Sequence, residues 1–277
     1  MKTQMELTTT QMELTTKLKR RAFLKVSASA AAAGFAGCFF PGGCIANGAG
    51  LKSGAAALTG TEAFDYIVTY LRGLKAEMQK EWPKNRTINL VFHGHSVPAG
   101  YFKTPQVNTL SAYPNLLLKK IKAIYPFAVV NVIVTAIGGE NSVKGAERFE
   151  RDVLTHHPDL ILIDYGLNDR GCGLDKAYLA WNEMIKQAKD RGIKVILLTP
   201  SPDQNVNYAD PANQLKAHAD QIRLLAAKNK VGLADSFKAF EFLYSDKSQL
   251  AGYMAQVNHP NERGHELIAD EIIKWFQ

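Results

Sequence analysis

Cysteine is almost absent from this chain. Cys38, Cys44 and Cys172 are all it has in 277 residues, and two of them fall within the first fifty. Three thiols so spaced supply neither a disulfide framework nor a zinc site. Long apolar runs are equally rare. The one stretch of note, Val26–Phe40, is Ala-rich and 15 residues long, which is short for a membrane span and right for the core of a signal peptide. An excess of one charge is missing from the body of the chain. The formal net charge is +7, but residues 1–50 hold six basic and two acidic side chains, leaving 27 basic and 24 acidic for the rest. That near-balance excludes the basic footprint of a nucleic-acid binder. With 46% hydrophobic and 21% charged residues, the composition also excludes a disordered chain and fits a globular domain.

Residues 1–50 read as an address. Thr3–Thr9 and Thr10–Thr16 both spell TQMELTT, a duplication too short for a repeat architecture. Lys19-Arg20-Arg21-Ala22-Phe23-Leu24-Lys25, followed by the apolar run, resembles the twin-arginine export motif of bacteria. Ala36-Gly37-Cys38 resembles the end of a lipoprotein signal, which would place a lipid on Cys38; ordinary cleavage between Ala33 and Gly50 is the alternative. The chain therefore divides into an export signal and leader (1–50), a small-residue linker (51–61) and a folded domain (62–277). The expected location is the bacterial periplasm, with a lipid on Cys38 as the one route to a membrane.

From residue 62 onward, helical and strand patterns alternate. Apolar spacing predicts helices over Glu62–Trp82, Ala112–Ile124, Ser142–Leu154, Lys176–Arg191, Pro211–Asn229 and Asn261–Phe276. Short apolar runs, several rich in β-branched residues, predict strands at Ile88–Phe92, Val129–Val134, Leu160–Tyr165, Ile193–Thr199 and Val231–Ala234. Five such alternations call for an α/β fold, a three-layer α/β/α sandwich around a flavodoxin-like five-stranded parallel sheet. Sheets of this kind place their sites at the carboxyl ends of the strands.

Reactive residues gather at those ends. His93-Gly94-His95-Ser96 follows the first strand, Gly138-Gly139-Glu140-Asn141-Ser142 the second and Gly166-Leu167-Asn168-Asp169 the third. Asn258-His259-Pro260-Asn261 stands before the last helix. A serine hydroxyl becomes a useful nucleophile when a base takes its proton, and histidine suits that task near neutral pH. The developing oxyanion needs fixed donors, which the Ser96 and Gly139 N–H groups and the Asn168 amide could supply.

The four clusters resemble the blocks of the SGNH (GDSL-type) hydrolases, over roughly residues 88–277. The resemblance implies Ser96 as nucleophile, His259 as base, and Ser96, Gly139 and Asn168 as the oxyanion hole of a cofactor-free serine esterase, which the leader would export. Two positions depart from the family pattern. His95 stands where Gly-Asp-Ser has its aspartate. Gln256 stands three residues before His259, where the family has the acid that orients the base. Gln256, a backbone carbonyl, or a carboxylate from elsewhere must then hold His259, and Asp235 is the acid at the same sheet edge. His95, Tyr101, Asp169 and Arg170 are candidates for contact with substrate.

Other readings fit part of the same residues. His93 and His95 form an HxH pair, but no carboxylate follows at a zinc spacing, so no metal is assigned. A metal-dependent hydrolase and a non-catalytic glycan-binding lipoprotein remain alternatives. So does a lipase or lysophospholipase. Export favours a glycan or small-molecule ester as substrate, and deacetylation of a carbohydrate as the reaction. For the address, changing both Arg20 and Arg21 to Lys should trap precursor in the cytoplasm, as read by fractionation. Normal export of that variant would reject the twin-arginine route.

Overall fold

Side chains two apart on a strand share a face, and this rule builds the layers. In the computed structural model, which describes residues 66–277, the strands are β1 (Thr87–Gly94), β2 (Val129–Val134), β3 (Leu160–Asp164), β4 (Lys194–Leu198) and β5 (Gly232–Ala234). Leu90 and Phe92, Leu160 and Leu162, and Ile196 and Leu198 point into one buried cluster. Val91, Ile161, Ile163, Val195 and Leu197 point into the other. All of β3 is buried, as a central strand covered on both faces must be.

The order is β2-β1-β3-β4-β5, with every pair parallel. Leu90 of β1 is level with both Val132 and Leu160. The chain runs outward from β1 to β2, then returns across β1 to β3. The carboxyl ends of β1 and β3 therefore flank the point where the direction of winding reverses, which is where open α/β sheets form a crevice. The edge strand β2 is the least covered, with Val129 and Val134 exposed.

The α-helices lying wholly among the described residues are α1 (Arg72–Met78), α2 (Ser96–Ala99), α3 (Tyr113–Ile124), α4 (Ser142–Glu147), α5 (Phe149–Asp152), α6 (Leu174–Asp190), α7 (Gln214–Asn229), α8 (Ser236–Ala239), α9 (Lys247–Ala251) and α10 (Glu262–Ile273). Met78 of α1, Leu117 of α3 and Ile268 of α10 cover the first face. Phe149 of α5 and Trp181 of α6 cover the second. α7 straddles the two, with Leu215 in one cluster and Leu225 in the other.

The five-stranded α/β architecture is as the sequence predicts, while several boundaries move. The helix expected over Ser142–Leu154 breaks at Arg148, which leaves helical geometry at ψ 3° and turns its guanidinium inward to Glu140. The helix expected from Pro211 starts at Gln214, because the Asn213 side chain accepts from Leu215 N and Lys216 N and caps it there. Helical geometry ends at Met78 rather than Trp82. A two-stranded antiparallel pair, β6 (Met254–Gln256) with β7 (His259–Pro260), has too few residues to show a period. Arg20, Arg21, Cys38 and the linker lie outside the described residues.

Four buried histidines are held neutral by the fold. Burial lowers His218 and His259 and pushes His93 and His265 down to about 3. The unfolded chain takes up these protons near the ordinary value of 6.5, whereas the fold resists all four and refuses those of His93 and His265 until about pH 3. Stability contributed by neutral His93 and His265 is thus complete above pH 6.5 and is lost as pH falls towards 3. The two together should steepen the loss by about 2–3 kcal/mol per pH unit between pH 6 and 5. Urea unfolding at stepped pH measures this slope, and His265→Gln should flatten it by about a third to a half.

Candidate active site

Strand β1 ends at Gly94, where a Cβ would run into the Asp164 carbonyl of neighbouring β3. The chain then turns into α2. His95 caps that helix by accepting from Val97 N through Nδ1 at 3.2 Å, and Gly100 ends it at φ +89°. Ser96 is the first helical residue, so its N–H has no intrahelical acceptor. Its Oγ lies 2.8 Å from His259 Nε2.

His259 arrives from the opposite end of the sequence. It pairs with Gln256 across β6 and β7, and Asn261 caps α10 two residues later. Its Nδ1 lies 3.0 Å from the Phe102 carbonyl. A carbonyl only accepts, so Nδ1 carries the proton and donates it. Nε2 then presents a lone pair to the Ser96 hydroxyl. This is the tautomer a general base requires.

The proposed oxyanion donors come from the loops after β2 and β3. Ile137 N donates to the Gly94 carbonyl at 3.0 Å, which ties the second loop beside the nucleophile turn. Gly139 has φ +78°, and a Cβ there would meet nothing within 4 Å. Glycine is therefore required by the backbone angle rather than by crowding. Asn168 Nδ2 donates to the Glu140 carbonyl at 2.9 Å, so one amide hydrogen is fixed and the other is left for the site.

Behind these donors lies a polar clamp. The Glu140 carboxylate accepts from Arg148 Nε at 2.9 and 3.0 Å, from Arg148 Nη2 and from the Tyr165 hydroxyl at 2.9 Å. Tyr165 also meets His93 Nε2 at 3.1 Å. Buried charges need such pairing, and here it anchors the residue whose carbonyl orients Asn168.

Residues 92–267 match the GDSL-like lipase/acylhydrolase family. The chain belongs to that family. An arylesterase of Vibrio mimicus is 30% identical over 125 residues, which are 44% of this chain and 60% of the arylesterase. The chain thus matches less than two thirds of that relative's length. The acetylxylan esterase Axe2 from Geobacillus stearothermophilus aligns with a TM-score of 0.59 and 20% identity, over 68% of this chain and 94% of Axe2. Catalytic mutants of Axe2 replace a serine, a histidine and an aspartate. A two-domain esterase active on acetylated mannans aligns with a TM-score of 0.60 and 18% identity, over 77% of this chain and 55% of that one. The two structural likenesses show the fold.

In this member of the GDSL-like family, Gln256 stands where the family pattern has its acid. Neither candidate orienter reaches His259. Gln256 Oε1 instead accepts from Thr104 N at 2.9 Å. Asp235 is engaged by Arg223 at 2.9 Å and by the Thr199 hydroxyl at 2.8 Å, and it caps α8. The Phe102 carbonyl takes the role. No side-chain signal marks it, because a backbone oxygen is present at every residue.

The candidates for substrate contact separate. Asp169 is fully buried; it accepts from Ser142 N at 2.8 Å and Trp181 Nε1 at 2.6 Å, and burial raises its pKa. It braces the second loop and does not face substrate. Arg170 donates to Asp203 at 2.7 Å and to the Leu167 carbonyl at 2.9 Å, so it ties together the loops after β3 and β4. His95 is also fully buried. Its Nε2 faces Asp164 Oδ1 at 3.4 Å, while Asp164 Oδ2 accepts from the Tyr113 hydroxyl; it shapes the turn. Tyr101 stays at the site. Its half-buried ring lies 6.1 Å from the His259 ring and borders Gly138.

His93 and His95 do not share a ligand position. His93 is held by Thr135, the Gly145 carbonyl and Tyr165, a set distinct from that of His95. Glu140, Arg148, Asp164 and Trp181 are supporting residues that sequence reasoning missed.

Burial lowers the His259 pKa and His95 nearby adds to the effect, while the Phe102 carbonyl opposes them. A base must be neutral to accept a proton, so the acidic limb of kcat/KM should fall below the ordinary value of 6.5. Asp235→Asn should leave that limb in place. A limb at or above 6.5, abolished by Asp235→Asn in a folded protein, would restore a carboxylate to the mechanism.

Proposed function

We propose that this protein is an exported serine esterase that removes acetyl groups from a carbohydrate. The observation that carries the chemistry is the imidazole of His259, set 2.8 Å from Ser96 Oγ and 3.0 Å from the Phe102 carbonyl. Ser96 Oγ attacks the ester carbonyl as its proton passes to His259 Nε2. The carbonyl oxygen gains negative charge, which the Ser96 N–H, the Gly139 N–H and the free Asn168 amide hydrogen stabilise. Collapse expels the alcohol, which takes the proton from His259, and leaves an acetyl group on Ser96 Oγ. Water then attacks that acyl-enzyme, with His259 again acting as base.

The acid-free dyad sets a limit. A carbonyl dipole stabilises imidazolium less than a carboxylate does, so proton transfer from Ser96 to His259 has less electrostatic support than in a triad. The acetylxylan esterase and the esterase active on acetylated mannans, which share the fold, support a glycan acetate as substrate. Arg20, Arg21 and the apolar run behind them support export, and Cys38 supports a lipid anchor.

The test is acetate release from p-nitrophenyl acetate, acetylated xylan and acetylated mannan. Ser96→Ala should abolish turnover of all three. Asn168→Ala should lower kcat by about 10²–10³ with little change in KM. Undiminished turnover by Ser96→Ala would sink Ser96 as the nucleophile, no turnover of any of the three by wild type would sink the esterase reading, and turnover confined to the aryl ester would sink the glycan part alone.

A further inference from the structure

The oxygen that holds His259 sits on a loop, and a loop carbonyl is only as fixed as the loop. Residues 101–107 form a small hairpin just beyond the nucleophile helix. Tyr101 bridges Val107, and Phe102 N donates to the Gln106 carbonyl at 3.1 Å. At its tip, Thr104 N donates to Gln256 Oε1 at 2.9 Å. Gln256 is itself anchored. Its backbone pairs with His259, and its carbonyl accepts from Gln204 Nε2 at 3.2 Å. Val257 beside it accepts from Gln204 N at 2.8 Å.

These contacts close a ring. His259 is joined to Gln256 by strand pairing, Gln256 to Thr104 by its side chain, and Phe102, two residues before Thr104, back to His259 by its carbonyl. We propose that Gln256 is a positioning residue for the base, holding the hairpin so that the Phe102 carbonyl fixes the tautomer and direction of the His259 ring. Gln256 thus acts from the sequence position where the family carries its orienting acid, but at one remove, through the backbone it restrains. The Phe102 ring supplies a second restraint, stacked on His265 at 4.9 Å and 16°.

This rests on the reading of His259 as base to Ser96, and the experiment separates the two claims. In full-length protein with ¹⁵N-labelled histidine, the hydrogen-bonded Nδ1–H of His259 should give a slowly exchanging resonance, assigned by its absence in His259→Ala. Gln256→Met, similar in size and without an acceptor, should broaden or remove that resonance. It should also lower kcat roughly 5- to 10-fold, the worth of one such hydrogen bond, with KM and Tm near wild type. Gln256→Glu keeps an acceptor for Thr104 N and should recover the resonance and most of kcat. Its carboxylate favours imidazolium, so the acidic limb should move to higher pH. If Gln256→Met does not fold, Gln256→Asn, whose amide retreats by one methylene, serves the same comparison with the same expected losses. A sharp His259 resonance with wild-type kcat in either non-bonding variant overturns the positioning role. Turnover retained in Ser96→Ala overturns the functional reading instead, and the resonance still decides the role of Gln256.

Discussion

Everything in the site depends on one imidazole held from both sides. His259 meets the nucleophile through Nε2 and a backbone oxygen through Nδ1. Both partners lie on one segment of chain, since Ser96 and Phe102 are six residues apart. The nucleophile and the device that orients its base therefore move together, on a turn that Gly94 packs against β3. In the family pattern, with the acid three residues before the histidine, the base is fixed from its own loop. Here the restraint comes from the other partner, and the consequence is electrostatic: the proton on Nδ1 is held in place, but the charge that forms during catalysis has no full counter-charge beside it.

The sheet explains why loops so far apart in sequence can cooperate. The winding reverses between β1 and β3, which leaves a crevice where their carboxyl ends meet. Ser96 follows one strand and Asn168 the other, and the second loop is tied to the first through Ile137 N and the Gly94 carbonyl. The buried charges behind the crevice are support. Glu140 with Arg148, and Asp169 with Trp181 and Ser142 N, leave few alternative arrangements for the donors. Partly satisfied buried networks are costly, so such groups specify one geometry. Chemistry-capable side chains such as Asp169 and His95 thereby serve the loops rather than the substrate.

The layered fold was legible because it is periodic. Leu90-Val91-Phe92 and Leu160–Ile163 are apolar at every position, as strands covered on both faces read, and they recur between segments whose helical spacing supplies the covering layers. The four reactive clusters were legible because each sits after a strand or before a helix, and because serine, histidine and asparagine bring side-chain chemistry that few positions need. Arg148 shows where this stops: nothing local says that a helix breaks there, since the reason is a carboxylate eight residues earlier that folding brings into reach.

Residue identity alone determined the sheet, the approximate elements, the Ser96–His259 pairing of types and the absence of an acid at position 256. Tertiary structure decided what replaces that acid and which polar residues face the crevice. A backbone carbonyl has the same chemistry at every position and no signature in the sequence. Only the path of the chain from Tyr101 to Val107 and the hold of Gln256 on Thr104 bring one such oxygen to the histidine. In the same way, Asp169 and Tyr101 are both polar residues on loops beside the site, and burial, a property of the whole fold, turns one inward and leaves the other at the base.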